Sequence, residues 1–228
     1  LGDVYKRQDI CLIFARTDPD AGRRGISVVV AERGTPGFVV GDLEDLCGMR
    51  ANPVTSIRLY DCKIPAENLL GEEGTGFQIG IMALDTGRIG IAAQAVGIAQ
   101  AALEESARYA NQRQQFGVSI GKHQSIQAML ADMATELEAA RLMVYRAALL
   151  RDQGKHFSRA SAMAKLYASE AASRITDMAV QIHGGYGYSK SYPVERYYRD
   201  ARVTRIYEGT SEIHQMVIAR EVLKDYAK

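Results

Sequence analysis

Nothing in these 228 residues is spaced to hold a metal. Histidines 123, 156, 183 and 214 are scattered, with no HExxH or comparable ligand pair. The cysteines, Cys11, Cys47 and Cys62, are odd in number and show no CxxC spacing. That argues against a disulfide framework and a structural zinc site and fits a reducing compartment. Charge of one sign is also lacking. Lys and Arg total 28 against 27 Asp and Glu, so the net charge of +1 gives no long-range pull toward nucleic acid or a membrane surface. No unbroken apolar run reaches the roughly 18 residues of a membrane span. Leu1 to Gln8 show no charged-then-apolar-then-small pattern of a signal peptide. There is no internal repeat, low-complexity tract or coiled-coil heptad. What remains, 47% hydrophobic and 24% charged residues, is the profile of a soluble globular chain of one large or two modest domains.

The first third is strand-like. Cys11–Ala15 is a short apolar run that reads as a buried strand, and Gly25–Val30 is β-branched and bounded by turn formers. Phe38–Val40 follows the Pro36-Gly37 turn. Ser56–Cys62 alternates apolar Ile57 and Leu59 with polar neighbours, the period of a half-exposed strand, before Pro65 ends it. Arg23 and Arg24 read as solvated loop cations. With no helix of useful length between these strands, an antiparallel sheet or partial barrel is expected rather than a parallel Rossmann sheet. Gly71-Glu-Glu-Gly-Thr-Gly76 lacks the strand and βαβ context of a dinucleotide fingerprint and reads as an interdomain hinge.

From residue 72 the pattern is helical. Phe77–Asn111 is free of proline, and Ala92, Ala95, Ala99 and Ala102 keep helical spacing over a length of about 50 Å. Gly87, Gly90 and Gly97 each weaken that helix by about 1 kcal/mol relative to alanine. Ile126, Met129, Leu130, Met133, Leu137, Ala140 and Val144 mark a second helix that stops at Gln153-Gly154. A third runs from about Ser158 to His183 and stops at Gly184-Gly185. Pro193 opens a short one through Arg202. A last helix from about Thr210 to Tyr226 is expected to bury Ile213, Met216, Val217 and Leu223. The fold class is therefore α+β, a partial antiparallel β-domain over 1–71 followed by an up-and-down helical bundle over 72–228.

The chemistry concentrates in Thr204–Arg220. Glu208 stands between Tyr207 and the flexible Gly209, and Thr210 and Ser211 then open a helix whose first N–H groups are unpaired and favour an anion. A carboxylate there suits a general base beside a phosphate-bearing ligand; a solvated Glu in a turn is the plain alternative. Arg113-Gln-Gln-Phe-Gly117 and Gln181-Ile-His-Gly-Gly185 add a guanidinium suited to phosphate and glycines that let a pyrophosphate approach the backbone.

Together these stretches resemble the acyl-CoA dehydrogenases. Ile206-Tyr-Glu-Gly-Thr-Ser-Glu-Ile213 looks like their C-terminal catalytic signature. Cys47-Gly-Met-Arg50 and Pro65-Ala-Glu-Asn-Leu-Leu-Gly71 are similar to the second half of their middle domain. The likeness runs from about residue 9 to 226, so the chain reads as a C-terminal fragment whose targeting is unreadable. It implies FAD as cofactor and Glu208 as the base that takes the α-proton of an acyl-CoA thioester. Asp85, Thr86, Gly87, Arg88, Gly209 and, more distantly, Arg220 are implied as substrate contacts. Implied FAD contacts are Arg113, Gln114, Gln115, His123 and Gln124, then Gln181, Ile182, His183, Gly184 and Gly185 toward a neighbouring subunit's cofactor, and Thr210, Ser211 and Glu212. Position 87 is glycine, whereas some branched-chain members carry the base near there. With Ser211-Glu212 this leans toward short, straight-chain, butyryl-type members. The implied partners are acyl-CoA, a homo-oligomer built as a dimer of dimers, and an electron-transfer flavoprotein as acceptor, without nucleic acid or a membrane span. The implied location is the bacterial cytoplasm or the mitochondrial matrix. A silent helical interaction module and an oxidase-type relative are the other readings.

Overall fold

The structure is a computed structural model that describes residues 4–5 and 8–227, with side chains from residue 8 onward. The reading of Leu1–Gln8 as lacking a leader pattern therefore lies, apart from Gln8 and the backbone at 4–5, outside the described residues. The chain divides into two compact units, residues 1–83 and 84–228.

The first unit is antiparallel throughout. β1 (Val4–Tyr5), β5 (Val54–Leu59) and β4 (Phe38–Leu43) form one sheet in the order β1-β5-β4, and β2 (Ile10–Arg16) pairs with β3 (Ile26–Glu32) in a second. The register of the second sheet runs from Ile10 opposite Glu32 to Arg16 opposite Ile26. Val28 and Ala31 are buried, and so is Cys11, but Ile10, Leu12 and Phe14 are more than half exposed. The apolar run at Cys11–Ala15 is thus buried on one face only. Successive side chains point to opposite faces of a strand, and two strands leave one face uncovered. Gly71–Gly76 is tied to β3 rather than left loose. The Gly74 N–H donates to Ser27 Oγ at 2.9 Å, and a Cβ on Gly76 would meet Ile26 and Ser27 backbone atoms at 2.7–2.9 Å.

The second unit is helical. α1 (Gly76–Gln112) begins in the first unit; α2 (Gln124–Asp152), α3 (Ser158–His183), α4 (Val194–Arg202) and α5 (Ser211–Asp225) complete an up-and-down bundle. Between α1 and α2 lies a segment to which helical periodicity assigns no element. It is a two-residue hairpin instead, β6 (Gln114–Gln115) with β7 (Val118–Ser119). Phe116 and Gly117 turn it with φ of +55° and +80°, a pair of left-handed residues that matches the twist of a tight hairpin. The core is built of small residues. Ala92, Ala95, Ala99 and Ala102 of α1 meet Met133, Leu137, Ala140 and Val144 of α2 and Ala164, Ala168, Ala171, Ile175 and Ala179 of α3. Alanine stripes let helix axes approach closely, so dispersion between backbones replaces bulky side-chain burial. By length and composition alone α1 is apolar enough to cross a membrane. Its alanine face, however, is spent on the bundle core.

α5 departs from the sequence reading. Its buried residues are Ser211, His214 and Glu221, while Ile213, Met216 and Leu223 are exposed and Val217 is half-buried. On the docked face Ser211 donates to Glu170 of α3 and Glu221 pairs with His156, whereas apolarity alone predicts the other side.

Candidate active site

Glu208 sits in a turn between the short 3-10 segment Val203–Arg205 and α5. Its φ is +55° and that of Gly209 is +97°, so two consecutive residues are left-handed. Glycine adopts this conformation freely, whereas for a residue with a Cβ it costs roughly 1–2 kcal/mol. Contacts on both sides hold the turn. Before it, the Tyr207 hydroxyl reaches Gln94 Oε1 of α1 at 2.5 Å, and Arg205 Nε donates to Glu170 Oε1 of α3 at 2.8 Å. After it, Thr210 caps α5 by accepting the Ile213 N–H, and Ser211 Oγ donates to the same Glu170 oxygen at 2.7 Å.

The result is a carboxylate folded in against α1. A Cβ placed on Gly87 would stand 2.5 Å from Glu208 Oε2 and 2.9 Å from its Cδ, and Oε2 is buried. The next residue on α1, Arg88, is 6% exposed; it pairs with Asp85 at 2.5 Å, and the Ser158 hydroxyl holds the other Asp85 oxygen. Arg88 Nε has no hydrogen-bond partner among the described residues. Thr86 lies half-buried between them. Asp85, Thr86, Gly87, Arg88, Glu208 and Gly209 therefore gather at one end of the bundle. Arg220 lies further along α5, two thirds exposed, with Nε 3.5 Å from Glu221.

Two buried groups that the sequence reading passed over complete this end. Lys165 of α3 is fully buried and donates from Nζ to the Gly209 carbonyl at 2.5 Å. Burial first, and then the Arg88 charge, pull its pKa down to about 8. His214 of α5 is equally buried, and a Cβ on Gly209 would lie 3.2 Å from its ring. Burial, followed by the charges of Lys165 and Arg88, pushes its pKa down to about 4, so the imidazole is neutral near pH 7. The signal that could have found Lys165 is its place in the buried stripe Ser161, Lys165, Ala168, Ala172, Thr176, Ala179, where a lysine interrupts small residues.

A second cluster forms where α1 and α3 end. Arg113, Gln115, Ile182, His183, Gly184 and Gly185 line a cavity of about 610 Å³. Tyr109, Ile120, Tyr186 and Ser189, which the sequence reading did not name, also line it. Tyr109 stacks on His183 at 4.2 Å, and the Arg113 guanidinium lies 5.7 Å from the Tyr186 ring centre. Burial keeps the His183 pKa below its ordinary value, and Nδ1 donates to the Ala179 carbonyl at 2.8 Å. A Cβ on Gly184 or Gly185 would meet nothing within 4 Å, so the cavity wall is open backbone there. His123 Nε2 lies 3.3 Å from the Gln115 carbonyl, while Gln114, Gln124 and Gln181 are exposed at the edges. Thr210, Ser211 and Glu212 belong to the Glu208 end. There its own backbone N–H, and then the Thr210 hydroxyl, hold the Glu212 carboxyl below the usual carboxylate range. From Gly87 to Arg113 the chain climbs α1 by about 40 Å, so the two clusters stand at opposite ends of the bundle.

A carboxylate is thus pressed into a left-handed turn over a helix glycine, and a glycine-walled cavity beside Arg113 opens at the far end of the same bundle. The family model described as "Acyl-CoA dehydrogenase, C-terminal domain" matches residues 74–223. The chain belongs to the acyl-CoA dehydrogenase family. It is 53% identical over 218 residues to the acryloyl-CoA reductase (NADH) of Anaerotignum propionicum, covering 96% of this chain and 55% of that one. The solved butyryl-CoA dehydrogenase of Megasphaera elsdenii superposes with a TM-score of 0.93 at 51% identity, over 94% of this chain and 56% of that one. A chain from the structure of the electron transferring flavoprotein of Acidaminococcus fermentans gives 0.95 at 50%, over 96% and 58%. Short-chain-specific acyl-CoA dehydrogenases of bacteria and of mammalian mitochondria also match at 50–53% identity. The chain spans little more than half the length of these relatives.

Proposed function

We propose that this chain is the C-terminal part of an FAD-dependent acyl-CoA dehydrogenase that converts a short, straight-chain acyl-CoA to the trans-2-enoyl-CoA. The observation that carries this reading is the Glu208 carboxylate lying on Gly87. Glycine at 87 leaves room for the carboxylate to lie against α1, where a side chain would displace it, and the proposed thioester brings its α-carbon to that carboxylate. A carboxylate with one shielded oxygen is a stronger base once substrate excludes the remaining water. Glu208 takes the α-proton, and its own backbone N–H, turned by the left-handed φ, is suited to polarise the thioester carbonyl as enolate charge develops. FAD supplies the acceptor for the β-hydrogen, which leaves as hydride.

The donor set fits that cofactor at both ends of the bundle. Arg113, Gly184 and Gly185 suit a pyrophosphate, and the Tyr109 and Tyr186 rings suit a flat base. Thr210, Ser211 and Glu212 suit the flavin end. Because the two sets stand about 40 Å apart along α1, they serve different cofactor molecules in a homo-oligomer, in keeping with a dimer of dimers. An electron-transfer flavoprotein is the proposed acceptor, and the bacterial cytoplasm or the mitochondrial matrix the proposed location. A relative named acryloyl-CoA reductase (NADH) favours a second direction for the same site, in which bound reduced flavin would supply hydride to the β-carbon of an enoyl thioester and protonated Glu208 a proton to its α-carbon.

The test is Glu208→Gln in the whole enzyme that carries this chain. Bound flavin and melting temperature are expected to stay as in wild type, while anaerobic bleaching of the flavin band by butyryl-CoA slows by several orders of magnitude. Bleaching at near-normal speed would remove Glu208 from the chemistry.

A further inference from the structure

We infer that Lys165 is a positioning residue that fixes the Glu208–Gly209 turn from beneath and aims the carboxylate at its reacting position; this rests on Glu208 being the base. Lys165 is the largest fully buried side chain in the described residues. Its stem passes through the small-residue stripe of α3, and its Nζ ends on the Gly209 carbonyl, one peptide beyond the carboxylate. A buried ammonium is costly, and an apolar residue of the same volume would pack there without that cost. What the ammonium provides is a donor to a carbonyl that the left-handed turn points into the bundle. With φ at +55°, Glu208 relaxes toward ordinary backbone unless the turn is held on both sides. His214 packs against Gly209 on the α5 side and Lys165 holds it on the α3 side.

The charge has a second effect. Lys165 is faced by the cation Arg88 from α1 and by the carboxylates Glu170 on its own helix, Glu208 in the turn and Glu212 on α5. The neutral His214 adds no charge to this balance. The ammonium therefore favours the ionised form of Glu208, the form that can accept a proton. Remove the charge, and the base is both less well aimed and more readily protonated.

The experiment compares Lys165→Met, Lys165→Gln and Lys165→Arg in the FAD-loaded whole enzyme, with Glu208→Gln alongside, reading kcat, KM and the pH profile of kcat/KM. Lys165→Met is expected to lower kcat ten- to a hundredfold with KM changed less than threefold, and to move the acidic limb of the profile to higher pH by about one unit. Lys165→Arg, which keeps the charge, is expected to restore the limb. If Lys165→Met does not fold, Lys165→Gln, which keeps a donor without the charge, must still move the limb. A fall in stability or yield with the acidic limb in its wild-type place would show that Lys165 only packs, and would overturn the inference. If Lys165→Met is normal while Glu208→Gln is inactive, the positioning role fails and the base survives. If Glu208→Gln is itself active, the reading beneath both is lost.

Discussion

Gly87→Ala separates activity from stability in opposite directions. α1 is helical through position 87, and alanine in a helix interior is favoured over glycine by about 1 kcal/mol. The new methyl would stand 2.5 Å from Glu208 Oε2, against the roughly 3.5 Å or more of ordinary contact. The obstructing atom is the free end of a side chain, so the carboxylate swings aside by about 1 Å and the helix stays. The fold is then spared, and any strained Glu208 rotamer takes back about 1 kcal/mol at most. The chemistry is not spared: a 1 Å misplacement of a reacting group costs about a hundredfold, or roughly 2.7 kcal/mol of barrier. Gly90→Ala is the matched control, one turn along the same helix with nothing within 4 Å of the added carbon. The assay is single-turnover flavin reduction by butyryl-CoA, with thermal melting of the same preparations. Gly87→Ala is expected to melt within a few degrees of wild type and react about a hundredfold more slowly, while Gly90→Ala melts slightly higher and reacts normally. Equal reaction rates in the two variants would refute the placement of the reacting carboxylate over Gly87.

His214 has a folded pKa of about 4 against 6.5 when free, so between those values the unfolded chain binds a proton that the folded chain refuses. Its contribution is present above pH 6.5 and is lost as pH falls toward 4, worth about 3 kcal/mol in all; denaturation midpoints at pH 4.5 and 7 are expected to differ less in His214→Asn than in wild type. Arg113→Ala removes the guanidinium that reaches the far cavity, and a lost charge-assisted contact of about 1.5–3 kcal/mol predicts FAD held at least tenfold more weakly, read by the dissociation constant of the flavin. Unchanged affinity would assign that cavity to something other than the cofactor.

The sequence by itself determined the order and type of the longer elements, because periodicity and turn chemistry are local. Gly184-Gly185 stops the helix Ser158–His183, and the Thr210 hydroxyl, expected near the start of the last helix, caps α5. It also determined that a carboxylate, a glycine and a helix start adjoin at 208–211, since that is a matter of neighbours in the chain. Only tertiary structure decided which faces are covered. The polar side of α5 docks and its apolar side does not, because burial follows the partners a surface meets and not its hydropathy alone. Only tertiary structure brought Gly87 under Glu208, 121 positions apart in the numbering, and sent Lys165 inward to the turn. A lysine's sequence neighbours say nothing of the carbonyl at the end of its reach. That carbonyl points inward because two residues are left-handed, and what holds them so comes from three different helices.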